Sequence, residues 1–329
     1  MHDRSHTDSM TTDELSPTLF DTHRLEVRDG VTLAFVREGL GGVPLLLLHG
    51  WPGSKRLFWH NIAPLAEMGF EVIVPDQRGF GDSGPAEAGR LDPVASSRDM
   101  AALLQGLGHE QAIVCAGDQG GVVAMDMSLR FPELVSRMVL YNTAVPVLPD
   151  VYEAAGLPAN MFEEIGKVSE HMSLHGLQAD ELCASLDTED ERLDYVASFF
   201  TGHVWKDGDP VRQLAATDGF SPEQAAFQAE PFRDPAVMRA SLGIYEAFLG
   251  AGEPFEPPML DRPIEVETMI LYGIEDEIIG DYWPQEMALA CRRPVGPFLL
   301  QGAGHFVPWE TAEVFNHALR AFCRDLLQS

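Results

Sequence analysis

The stretch Gln111-Ala112-Ile113-Val114-Cys115-Ala116-Gly117-Asp118-Gln119-Gly120-Gly121 runs from a short apolar strand into a glycine-rich turn. Val122-Val123-Ala124-Met125 follows and reads as the start of a helix. Small residues two before, two after and three after a central residue are what a sharp strand-to-helix turn requires. They let strand and helix approach closely and lift the central side chain above the sheet. The lifted residue here is Asp118. Taken alone, the stretch is equally an ordinary βα loop in which Asp118 caps the helix.

Working outward, other apolar strands end in similar punctuation. Val43–Leu48 leads into His49-Gly50-Trp51-Pro52, and Phe70–Pro75 leads into Asp76-Gln77-Arg78-Gly79-Phe80-Gly81-Asp82-Ser83. Strands are also expected at Arg137–Tyr141, Thr268–Tyr272 and Pro297–Leu300, with a hairpin of Arg24–Arg28 and Val31–Arg37 about Asp29-Gly30. Helical stretches lie between them, such as Ser97–Leu107. A last helix carries Phe315, Leu319, Phe322 and Leu326 on one face. Continuous apolar strands alternating with helices predict an α/β domain, a mostly parallel, doubly wound sheet covered on both faces.

The alternation stops between Val147 and Arg262, where only helical fragments such as Ala236–Phe248 are legible. That third of the chain holds 22 acidic and 7 basic residues, about half of the net charge of −29. The organisation expected is a flexible tail over 1–20, a core over 21–146 and 263–329, and an inserted helical cap over 147–262.

The turn at Asp118, His49–Pro52, Gly79–Ser83, Gly273-Ile274-Glu275-Asp276 and Gly302-Ala303-Gly304-His305-Phe306-Val307-Pro308 occur in one order along the chain. In this combination the sequence resembles the α/β-hydrolase superfamily over nearly everything outside tail and cap. The order Asp118, Asp276, His305 is that of the family's nucleophile, acid and histidine. No G-x-S-x-G occurs, so a serine esterase is not expected. The turn resembles the aspartate-nucleophile branch: epoxide hydrolases, haloalkane dehalogenases and haloacetate dehalogenases. Carboxylate attack on an sp³ carbon gives an alkyl ester, which water cleaves with a general base and an oxyanion hole. The resemblance implies His305 as base, Asp276 as its partner, and the N–H groups of Trp51 and Gln119 as oxyanion donors. Trp51, with His49 and Pro52 of the same turn, is expected to face substrate. Asn142 stands where some relatives carry the acid, and it cannot serve as one.

Departures decide the branch. Haloalkane dehalogenases carry Trp directly after the nucleophile and haloacetate dehalogenases carry Arg there; this chain has Gln119. Epoxide hydrolases tolerate variation at that position, and the resemblance therefore implies an enzyme acting on an ether bond, an epoxide hydrolase. Its ring-opening donors come from the cap. Tyr245, in Ser241-Leu242-Gly243-Ile244-Tyr245-Glu246, matches one, and His171 is expected as the second, with Tyr152 as the alternative. A dehalogenase of the same branch and a non-catalytic ligand-binding relative are the competing readings.

Composition bounds the partners. Lys+Arg 22 against Asp+Glu 51 disfavours nucleic acid and anionic membranes. A small, neutral, mostly apolar epoxide suits such a chain; a homodimer is compatible with it, and neither metal nor cofactor is implied. Cys115, Cys183, Cys291 and Cys323 form no C-x-x-C pair, and the polar first twenty residues lack the apolar centre of a secretory leader. A cytoplasmic protein is expected.

Overall fold

The computed structural model describes residues 15–28, 30–84, 91–159, 170–202, 214–249 and 255–328. Eight strands form one sheet: β1 (Thr22–Arg28), β2 (Val31–Glu38), β3 (Val43–Leu48), β4 (Phe70–Pro75), β5 (Ala112–Gly117), β6 (Val135–Thr143), β7 (Thr268–Gly273) and β8 (Pro294–Leu300). Their order is β1-β2-β4-β3-β5-β6-β7-β8. β1 and β2 form the expected antiparallel pair, although Asp29 of its turn lies outside the described residues. β2 also meets β4 antiparallel, and the pairs from β4 through β8 are parallel.

The central strands are apolar because helices cover both faces. Leu45 to Leu48 are fully buried, each stabilising the fold by roughly 1.5–3 kcal/mol relative to exposure. Helix Pro93–Gly106 begins with proline in its first turn and Asp92 accepting the N–H of Ala95 at 2.8 Å, two standard start signals. Between β6 and β7 the described residues hold helices and no strand. Among them, Glu189–Thr201 starts with a Thr188/Glu191 capping box and stops at Gly202, at φ 103°.

Three boundaries differ from the sequence reading. Residues 15–20, assigned above to the tail, pack on the core: Phe20 meets Trp59 edge to face, and the Trp59 indole N–H donates to Ser16 O at 3.2 Å. Residues 1–14 lie outside the described residues. Ala236–Phe248 is two helices, Pro235–Ser241 and Gly243–Phe248, broken where Gly243 packs against Leu91. The last helix ends at Phe322 rather than Leu326. Among the described residues, no helix is long and apolar enough to cross a membrane.

The turn after β5 depends on close approach. A Cβ on Gly120 would meet the carbonyl oxygens of Leu48 and His49 at 2.7 and 2.6 Å, and backbone cannot yield as a side chain can. Gly120→Ala should therefore lower stability by about 1–3 kcal/mol. Urea unfolding is the check, and a midpoint equal to the parent's would show that the strand–helix junction has slack.

Candidate active site

Parallel strands bring their carboxyl ends, and the loops beyond them, to one edge of the sheet. Asp118 begins the helix that follows β5, with φ at 48°, outside the usual range of a non-glycine residue. Its carbonyl accepts from Thr143 Oγ1 at 2.5 Å, tying the turn to the end of β6.

Both carboxylate oxygens of Asp118 are engaged. Oδ1 accepts the Trp51 N–H at 2.8 Å, and the Gln119 N–H also donates to this carboxylate. Oδ2 lies 3.2 Å from His305 Nε2, and His305 Nδ1 lies 2.7 Å from Asp276 Oδ2. Asp276 Oδ1 accepts the N–H groups of Ile278 and Ile279 at 2.9 and 3.1 Å. The structure thus assembles Asp118, His305 and Asp276 in a chain of hydrogen bonds, with Trp51 and Gln119 as the backbone donors.

Charge follows from this geometry. Burial alone would raise the Asp118 carboxyl, but His305 and the two N–H donors outweigh it and hold the group below its ordinary value. Burial would likewise lower His305, yet the carboxylates of Asp276 and Asp118 raise it to about 10. At neutral pH the histidine is an imidazolium between two carboxylates.

Two supporting residues escape the sequence motifs. Asn142 Nδ2 donates to Asp276 Oδ2 at 2.9 Å and to Gly273 O at 3.0 Å, while its Oδ1 accepts the Gly273 N–H at 2.8 Å. Asn142 thus fixes the position of Asp276 relative to the end of β7. Glu310 accepts the N–H groups of Gly304 and Phe306, each at 2.9 Å, on either side of His305, and also that of Ala216. The His305 N–H in turn donates to Leu214 O at 2.8 Å. Burial pushes the Glu310 carboxyl up to about 8, against the pull of these donors and of His305.

A pocket of about 610 Å³ opens over Asp118 and His305. Val122, Leu214, Phe248, Ile278 and Ile279 supply apolar walls, and His171 and Tyr245 face it from the helices between β6 and β7. Trp51 gathers this roof: its ring stacks on His171 at 6.3 Å and meets Tyr245 edge to face at 5.8 Å. Its indole N–H donates to Ser241 Oγ at 3.2 Å. Burial, with Asp118 nearby, raises the Tyr245 hydroxyl well above its ordinary value, so it stays protonated.

Three expected residues lie elsewhere. His49 is fully buried behind its turn, with Nδ1 donating to Gly50 O at 2.9 Å and Nε2 accepting the Gln77 N–H at 3.1 Å. Burial lowers its pKa, and it props the Trp51 turn instead of meeting substrate. Pro52 does not line the pocket. Neither does Tyr152, whose hydroxyl donates to Pro146 O at 2.7 Å.

The raised groups set a pH dependence. Between pH 6.5 and about 10 the folded protein holds a proton at His305 that the unfolded chain has released, so that stabilisation fades as pH rises. Glu310 acts with the same sign between 4.5 and about 8. Unfolding free energy should fall with rising pH across both windows. His305→Gln should flatten the alkaline part and Glu310→Gln the acidic part in denaturant titrations. Parental slopes in both variants would contradict these assignments.

Residues 43–166 match the family model for the alpha/beta hydrolase fold. The chain is 32% identical over 302 residues to the soluble epoxide hydrolase of Corynebacterium sp. (strain C12), covering 92% of this chain and 97% of that one. It is 26% identical over 314 residues to epoxide hydrolase 3 of Mus musculus, covering 91% and 75%. Among solved structures, the ligand-free epoxide hydrolase CorEH superposes with a TM-score of 0.75 at 24% identity, covering 93% of this chain and 99% of that chain, a likeness of fold.

Proposed function

The chain belongs to the epoxide hydrolases of the α/β-hydrolase superfamily, and we propose that it opens a small, neutral, mostly apolar epoxide to a vicinal diol through an ester on Asp118. The observation that carries this reading is Asp118 itself, with Oδ1 on a backbone donor, Oδ2 on His305, and Tyr245 and His171 across the pocket. Residues 147–262 serve as the cap and 21–146 with 263–329 as the core.

Oδ2 attacks an epoxide carbon while the C–O bond of the ring breaks. Tyr245, with His171 beside it, meets the negative charge developing on the departing oxygen and gives it a proton. Oδ1 becomes the ester carbonyl, already seated on the Trp51 N–H, with the Gln119 N–H donating to the same group. These same donors stabilise the oxyanion of the second step. Esterification also removes one of the two negative charges that hold a proton on His305. The imidazole then gives up that proton, which replaces the one Tyr245 gave to the epoxide oxygen, and becomes the base that activates water.

The pocket supports a neutral substrate, because no lysine or arginine is among its described lining residues to clamp a carboxylate. A halide cradle is disfavoured as well: the Trp51 indole N–H is engaged by Ser241, and Gln119 offers no indole. A cytoplasmic site of action is supported by four free cysteines, three of them buried. Styrene oxide converted to diol with 1-bromobutane untouched is the expected outcome; halide release would favour the dehalogenase reading.

His305→Gln should leave esterification possible, since an aspartate is ionised at neutral pH without help. Intact-mass measurement should show enzyme plus substrate accumulating, and an inactive variant without that adduct would remove His305 from the role of base. Tyr245→Phe keeps the ring's packing and deletes the hydroxyl. Its pre-steady-state esterification should slow by on the order of 10²-fold, and a parental rate would mean that the donor is another residue.

A further inference from the structure

Tyr141 lies on β6 beside the nucleophile's strand, paired with Gly117 in the parallel ladder. Its ring packs edge to face on Phe315 at 6.0 Å and occupies the space that a Cβ on Gly117 would fill. The residue is 2% exposed, and its hydroxyl has no hydrogen-bond partner among the described residues. A buried hydroxyl left in that state is costly, on the order of 1–3 kcal/mol. Tyr141 also lines a second, smaller cavity, on whose wall stand Asp118, His305, Gly50 and Phe306. The open part of this cavity has room for about one water molecule.

We propose that Tyr141 is a catalytic residue of the second half-reaction, its hydroxyl holding the hydrolytic water in this cavity between His305 and Asp118. The proposal rests on the ester reading above and adds to it the seat of the water. Tyr141 Oη–H donates to one lone pair of the water, and the water donates one hydrogen to His305 Nε2. Esterification frees Nε2 for this, because in the resting enzyme it faces Asp118 Oδ2. The water's remaining lone pair adds to Cγ of Asp118 as its proton passes to His305. The tetrahedral adduct then breaks the bond between Cγ and the alkyl oxygen, and that oxygen takes the proton from His305 to complete the diol. Asp118 is left as the acid and passes its proton to His305, which restores the resting carboxylate and imidazolium. Atoms and charge balance, and the regenerated carboxylate carries one oxygen from water.

Tyr141→Phe keeps the ring on Phe315 and Gly117 and removes the hydroxyl alone. Rapid-quench and intact-mass measurements with styrene oxide should give parental esterification and ester hydrolysis slowed by about 10²-fold, the scale of a misplaced reactant. The ester should accumulate, and KM should fall together with kcat. The parental thermal midpoint is the check on folding. Hydrolysis at the parental rate would overturn the proposal, and so would equal slowing of both steps, which would make the ring merely structural. His305→Gln, run alongside, separates the two levels. An ester in that variant with fast hydrolysis in Tyr141→Phe removes only Tyr141, whereas no ester in either removes the Asp118 mechanism itself.

Discussion

Asp118 stands with left-handed backbone at the tip of β5, a conformation that costs a non-glycine residue about 1–3 kcal/mol and persists only when its surroundings impose it. The surroundings are specific. Thr143 closes the turn onto β6, Gly120 lets the helix lie against the backbone of Leu48 and His49, and the carboxylate meets Trp51, Gln119 and His305. Shift that turn by an ångström and the backbone donors of Trp51 and Gln119, the histidine and the pocket floor lose their common reference point. The fold supplies rigidity where this is needed, because β3, β5 and β6 are central strands buried on both faces.

The electrostatics follow from the same placement. The chain has a formal charge of −29, yet among the described residues that line the pocket Asp118 is the one carboxylate. Two carboxylates bracket one histidine, so the arrangement favours the imidazolium. The charge of His305 is therefore coupled to that of Asp118: neutralising this carboxylate withdraws one of the two groups that hold the proton.

What could be read from the sequence was local. Asp118, Asp276 and His305 each sit in a short Gly-containing turn at a strand end, and strand ends are visible in apolar runs, so three residues spread over 188 positions were legible together. Gln119 and Trp51 came with those turns because their contribution is a backbone N–H, fixed by position more than by side chain. Glu310 and Tyr141 had no such signal, and Asn142 was marked only as a residue that cannot be an acid. Asn142 meets Asp276 across 134 residues and Glu310 meets Ala216 across 94, contacts that only the folded topology creates. His49 shows the opposite failure. Its motif was visible, but strand-end position does not say whether a side chain points toward solvent or back into the Gln77 backbone. The break at Leu242-Gly243 was hidden because helical periodicity continues through it, and the packing against Leu91 is tertiary.

Glu310 carries a consequence for how such enzymes can be diversified. Its carboxyl joins the backbone on both sides of His305 to Ala216 of the inserted region, and Leu214 accepts the His305 N–H. An inserted region is usually treated as a cassette, replaceable at its two junctions to change what enters the pocket. Here a third seam runs through the middle of the cassette, sewn to the turn that carries the histidine. A chimaera that exchanges residues 147–262 without matching 214–216 to the retained Gly304–Glu310 turn would inherit a pocket of the desired shape and a misaimed His305.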